Sequence, residues 1–141
     1  MKRFLSTKNT FTIVILWSLV LFLLSVIFLG IKKGNIQLVP TVVICLVISL
    51  IIWVLLDTRY VIKNNFLLYR SGPFRGRIDI NKIQKIQYHK GFMVPVTMKP
   101  ALDFKGFIIT YNKFDDVYVS PTKGEIFIKE LLLVNPKIEV L

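Results

Sequence analysis

Six basic residues crowd one stretch of the chain: Arg70, Arg75, Arg77, Lys82, Lys85 and Lys90. Guanidinium and ammonium groups at this density can hold anions, with arginine offering a planar fork that fits phosphate or carboxylate. Beside an anionic leaflet each such group adds about 1 kcal/mol of attraction, fading within a Debye length. The alternative is a solvated face of a basic protein, since charged side chains mostly point to water. Directly after them comes a stretch unusually apolar for a loop, with Phe92, Met93, Val94 and Met98 around Pro95. Such a loop can enter a bilayer interface, form a lip for a partner, or pack on its own domain.

The catalytic inventory is poor. The one histidine, His89, is expected at a strand end, and the single cysteine, Cys45, sits in a long apolar run as a small filler. Asp115 and Asp116 are adjacent, so on a strand their carboxylates would point to opposite faces, and they read as a polar hairpin tip. No zinc-protease, paired-cysteine, nucleophile-elbow or phosphate-loop motif occurs. No catalytic residue, cofactor or metal is therefore expected. The net charge of +11 raises nucleic acid as a partner, but no stacking-platform motif accompanies it.

These residues must be carried by two dissimilar parts. The chain has 141 residues, 54% hydrophobic and 19% charged. All eight acidic residues lie at or beyond Asp57, whereas the first 56 residues hold five basic ones and no acid. Residues 11–31 and 38–56 are uncharged. As helices they would extend about 31 and about 28 Å, enough to cross the hydrocarbon of a bilayer. Many of their residues are β-branched, yet in lipid the backbone must satisfy itself, which favours helix. The six residues between them can only reverse the chain, giving an antiparallel transmembrane hairpin with Pro40 in the second helix's first turn. Trp17 and Trp53 lie near the ends as possible interfacial anchors. The first run is longer than a signal peptide's apolar core and lacks a small-residue cleavage site, so it reads as a retained anchor. Basic residues flanking the hairpin outnumber Lys32 and Lys33 in its turn, which places both termini in the cytoplasm. Residues 1–10 are expected as a cytoplasmic tail.

From residue 57 to 141 the pattern becomes short alternating runs with turn signals. Strands are expected over 58–63, 66–70, 74–80, 83–88, 107–111 and 117–120, with turns at Asn64-Asn65 and Gly72-Pro73. Ser120-Pro121 looks like a helix start, and Phe127, Leu131 and Val134 then recur at helical spacing until Asn135-Pro136.

These residues carry a resemblance. The pattern T-x-Y-x-I at Thr58–Ile62, L-x-x-R-x-G-P at Leu67–Pro73 and I-D-I-x-K-I-x-x-I at Ile78–Ile86 resembles the YyaB-like bacterial PH domains. So does the ending from Ser120 to Pro136. One departure is Lys99-Pro100-Ala101-Leu102-Asp103, where members often carry serine in place of Asp103. The resemblance implies a PH-like β-barrel of about seven strands, or a bent sheet, with a C-terminal helix, in an α+β membrane protein. It also implies, for some small anchored members, bacteriocin self-immunity.

The expected function is a membrane-anchored, non-enzymatic binding module at the cytoplasmic membrane face. Its partner would be a protein, a peptide or an anionic lipid, and not nucleic acid. The competing expectation is an accessory or scaffold subunit of a larger membrane complex.

Overall fold

The computed structural model describes residues 2–91, 93, 96 and 101–141. Of the apolar loop, Phe92, Val94 and Met98 lie outside the described residues.

Two helices, α1 (Thr10–Lys32) and α2 (Leu38–Leu56), form the apolar hairpin. Asn9 caps α1, its side-chain oxygen accepting from the Phe11 amide at 2.8 Å. Gly34 takes φ of 67° in the reversal, a conformation suited to glycine. The hydroxyls of Ser25, Thr41 and Ser49 donate to carbonyls of their own helices or the preceding residue, at 2.6, 2.8 and 2.8 Å. These three hydroxyls are thereby satisfied within the hairpin, as an apolar surrounding requires, whereas the Thr12 hydroxyl near the start of α1 is buried without a partner. Only Val20, Ile48 and Leu55 are buried; residues such as Ile13, Leu16, Leu23, Ile27, Ile44 and Ile51 are half-buried, and most of the remainder presents leucine, isoleucine, valine and phenylalanine outward. A core helix of a water-soluble domain would be covered. These two are long and apolar enough to cross a membrane, which supports membrane localisation.

The remainder forms two four-stranded sheets. The first runs β1 (Lys2–Leu5), β2 (Arg59–Lys63), β3 (Phe66–Ser71) and β4 (Phe74–Asp79), each antiparallel to the next. Asn64 and Asn65 both take positive φ, which matches the twist of a two-residue hairpin between β2 and β3. A 3₁₀ turn at Ile80–Lys82, opened by the Asp79 side chain accepting from the Asn81 amide, bends the chain into the second sheet. That sheet contains β5 (Ile83–Lys90), β6 (Lys105–Tyr111), β7 (Asp115–Val119) and β8 (Glu139–Val140), ordered β7-β6-β5-β8. Helix α3 (Gly124–Val134) packs over the space between the sheets.

Three differences from the sequence reading have physical causes. First, the sheets are open and do not close into a barrel: β8 pairs with β5 in parallel, and among the described residues no strand joins the outer side of β4. Second, residues 2–5 are not a loose tail. β1 pairs with β2 from Lys2 opposite Ile62 to Leu5 opposite Arg59, so the helical hairpin is inserted between the first two strands. Phe4 faces inward, edge-on to Phe127 with ring centroids 5.3 Å apart. Third, α3 begins at Gly124 with no side-chain cap. The Ser120 hydroxyl is instead 2.9 Å from that of Ser6, and the Ser120 amide donates to the Tyr60 hydroxyl at 3.1 Å. Tertiary partners outbid the helix end. The core joins Tyr60, Leu67, Ile78, Ile80, Ile86, Ile109 and Val117 to Phe127 and Leu131 of α3.

Candidate functional site

The end of α2 enters the first sheet without a linker. The Thr58 hydroxyl donates to the Val54 carbonyl at 2.6 Å and lies 2.9 Å from the Ser71 hydroxyl. Gly72, with φ of 60°, sits where any Cβ would meet Val54 at 2.9 Å. The β3–β4 turn is thus pressed against the last turn of the helix.

At this junction lies a row of three arginines. Arg59 pairs in register with Arg70, and Arg70 with Arg75. Like charges directly opposite one another across strands destabilise a sheet. Asp57 offsets part of that cost: its oxygens lie 3.5 Å from Arg59 Nε and 2.5 Å from Arg70 Nε. The second approach is a charge contact off the line of a hydrogen bond. Trp53 also donates its indole N–H to Asp57 at 3.2 Å. Arg75 is exposed. A shallow hollow of about 270 Å³ opens between the three guanidinium-bearing positions, floored by Val61, Leu68 and Gly76. The next row out reads Arg3, Val61, Leu68 and Arg77. The Arg77 guanidinium stacks 4.7 Å above the Phe66 ring. A second hollow of about 330 Å³ lies beside it, bordered by Arg77, Asp79, Lys82, Tyr111 and Asn112.

On the opposite side of the junction, Asp103 ties the start of α1 to the second sheet. Its oxygen accepts from Asn9 at 3.2 Å and from the amides of Phe104 and Lys105 at 2.7 and 3.3 Å. Partial burial alone would raise its pKa, but hydrogen bonds from Thr7, Asn9 and the two amides outweigh that and hold it below the usual carboxylate value. Phe11 and Phe104 meet above, ring centroids 6.1 Å apart. Asp103 therefore works as a turn cap and as a latch.

The six basic residues singled out in the sequence are divided. Arg70, Arg75 and Arg77 share the outer face of the first sheet, and Lys82 joins Arg77 at the corner hollow. Lys85 lies on β5 opposite Thr110 and beside Glu139 of β8, while Lys90 ends β5 opposite Lys105. Met93 is exposed beyond that end, and its carbonyl lies 3.0 Å from His89 Nε2. His89 also stacks edge-on against Tyr118. Asp115 and Asp116 accept from Asn112 and Thr110 across their hairpin, at 2.8 and 2.6 Å. Among the described residues, no three His, Cys, Asp or Glu side chains are placed to share a metal ion. Sequence reasoning missed Arg59 and Asp57.

Comparison with known families gives two matches. A bacterial PH domain family matches residues 58–135, more than half of the chain. A second bacterial PH domain family matches residues 11–94, which takes in both helices as well as β2 to β5. No curated protein and no solved structure matches.

Proposed function

The chain belongs to the bacterial PH domain family, and on that premise we propose that it is a membrane-anchored, non-enzymatic module binding anionic phospholipid headgroups through Arg59, Arg70 and Arg75. The motifs at Thr58–Ile62, Leu67–Pro73 and Ile78–Ile86 support a YyaB-like member. The observation that carries the binding reading is the position of the arginine row. Arg59 follows the last residue of α2 by three positions, which is at most about 10 Å of chain. If α2 crosses the bilayer, the row lies at headgroup depth. Phe74 and Leu5, 55% and 59% exposed, flank it with apolar surface suited to the interface. Lys8, Lys90 and Lys105 extend the same basic rim on the side of α1. The rim's two acids, Asp57 and Asp103, are both engaged within the fold.

The pairing of β1 with β2 favours one side of the membrane for the segment before α1 and the body after α2. The basic rim and the positive-inside rule make that side the cytoplasm. Both termini are then cytoplasmic.

The test uses full-length protein extracted from membranes of mixed phosphatidylglycerol and phosphatidylcholine, with retained lipid counted by native mass spectrometry. Phosphatidylglycerol should be enriched on the native protein. Replacing Arg59, Arg70 and Arg75 together by glutamine should remove the enrichment while the hairpin keeps its neutral lipid. Undiminished enrichment refutes the proposal. A scaffold role in a larger membrane complex is the second reading, favoured by the exposed flanks of both helices. Exchange of the hairpin for an unrelated one of equal length would abolish a scaffold role and spare headgroup binding.

A further inference from the structure

The first sheet ends at β4, and among the described residues nothing pairs with its far side. The turn at Gly72-Pro73 is a two-residue hairpin with Ser71 opposite Phe74. In such a hairpin the residues flanking the turn exchange the hydrogen bonds, and alternate residues thereafter direct their backbone groups away from the partner strand. Gly76 and Ile78 therefore bond toward β3. Arg75, Arg77 and Asp79 direct their N–H and C=O groups outward along a free edge. Free edges recruit other strands unless something prevents it.

Of the two hollows already described, the first lies on the sheet face across β2, β3 and β4 and reaches the edge at Arg75, and the second lies at the far end of β4. Arg59, Arg70 and Arg75 surround the first; Arg77 and Lys82 flank the second together with Asp79, whose carboxylate accepts from the Asn81 amide at 3.0 Å. Arg75 and Arg77 are two positions apart on one exposed face, a spacing of about 7 Å. An added strand would present its alternate side chains at the same period. A second copy of this chain is a poor occupant, because it would set arginines against arginines in a protein of net charge +11. A helix is a poor one too, since the edge offers unpaired backbone groups rather than an apolar groove.

We propose that β4 is a docking edge for an extended, acidic segment of a partner protein, which adds as a fifth strand and sets carboxylates at alternate positions against Arg75, Arg77 and Lys82. Backbone pairing supplies the affinity and the cations supply the selection. This inference does not rest on headgroup binding. Arg75 is common to both, so acidic segment and anionic lipid compete there.

The experiment places full-length protein in nanodiscs of phosphatidylcholine alone, where no anionic lipid is present. The probe is a fluorescent peptide of alternating glutamate and valine, with its lysine-for-glutamate counterpart as control. The glutamate peptide should bind saturably, and the lysine peptide should not. Amide hydrogen exchange should slow over residues 75–79. Methylating the peptide nitrogens that face β4 should weaken binding by about tenfold or more, without any change to the protein. Exchange of Arg77 and Lys82 for glutamate should transfer the preference to the lysine peptide. Equal binding of both peptides, protection confined to other strands, or full binding of the methylated peptide each overturns the proposal. Loss of phosphatidylglycerol enrichment has no bearing on these readouts, so the two proposals fail separately.

Discussion

The helical hairpin and the sheet body draw on the same apolar residue types and use them in opposite ways. In α1 and α2 three side chains are buried and most of the others are exposed, with some half-buried. In the body a continuous cluster from Phe4 to Ile138 is enclosed between two sheets and α3. A helix in lipid needs no cover, because its backbone bonds are internal and its side chains match the solvent. A sheet in water must bury one face or fail. The difference predicts where substitutions hurt. Phe127, fully buried against Phe4 and Tyr60, should cost about 3–5 kcal/mol when replaced by alanine. Phe22→Ala in α1, 64% exposed, should leave unfolding of the body unchanged. Denaturant titration of the full chain in detergent, followed by tyrosine fluorescence, compares them. Phe4→Ala should fall with Phe127→Ala, since Phe4 belongs to the body despite preceding the hairpin. Equal effects from Phe22→Ala and Phe127→Ala would erase the distinction.

The same contrast explains what was legible beforehand. The hairpin is written as uninterrupted apolar runs, and its sequence limits nearly coincide with the helices. The arginine row was also within reach. Arg59 and Arg70 each stand five residues from the Asn64-Asn65 turn, and Arg70 and Arg75 each stand two from Gly72-Pro73. Two-residue turns fix register, so these positions had to align. Reading the basic residues as a local cluster, rather than across strands, hid Arg59. Strand β1 was not legible. Four residues carry too little alternation, and their partner lies beyond the whole hairpin. The open sheets were hidden for a related reason: β8 follows Asn135-Pro136, where the helical pattern stops and no further period begins. Ser120-Pro121 satisfied every local preference of a helix start. A cap bond is worth about 1 kcal/mol, and burial beside Ser6 and Tyr60 claims the same groups.

Asp103 is where the two regions are joined, and its charge sharpens the comparison. Its pKa is lowered from 3.8 in the folded chain. A depressed carboxylate stabilises the fold above its unfolded value, and that contribution is lost as pH falls through the folded value. Acidification below 3.8 should therefore loosen the contact between Asn9 and the second sheet before the core yields. Thermal unfolding of the native chain should show a larger acid loss than Asp103→Asn, which keeps hydrogen-bonding capacity and lacks the charge. Hydrogen exchange should report the loss first near residues 6–9 and 102–105. Identical acid profiles for the two proteins would mean that hairpin and body are held together by packing alone, as between Phe11 and Phe104.

The smallest effect expected is a gain. Arg75 opposes Arg70, while Asp57 lies against Arg70 and Arg59. One carboxylate cannot offset three guanidinium groups, so the third opposes folding. Arg75→Gln should stabilise the body by about 0.2–1 kcal/mol, the scale of a cross-strand pair. The gain should shrink as salt is added, because the repulsion is exposed and screened. A residue that weakens its own sheet makes physical sense if, as proposed, the row lies at headgroup depth and an anion supplies the missing counter-charge. Adding phosphatidylglycerol should then reverse the order and make the native chain the more stable of the two. Should Arg75→Gln destabilise the chain in neutral detergent, the guanidinium is serving the fold, and the row loses its standing as a site held ready for an anion.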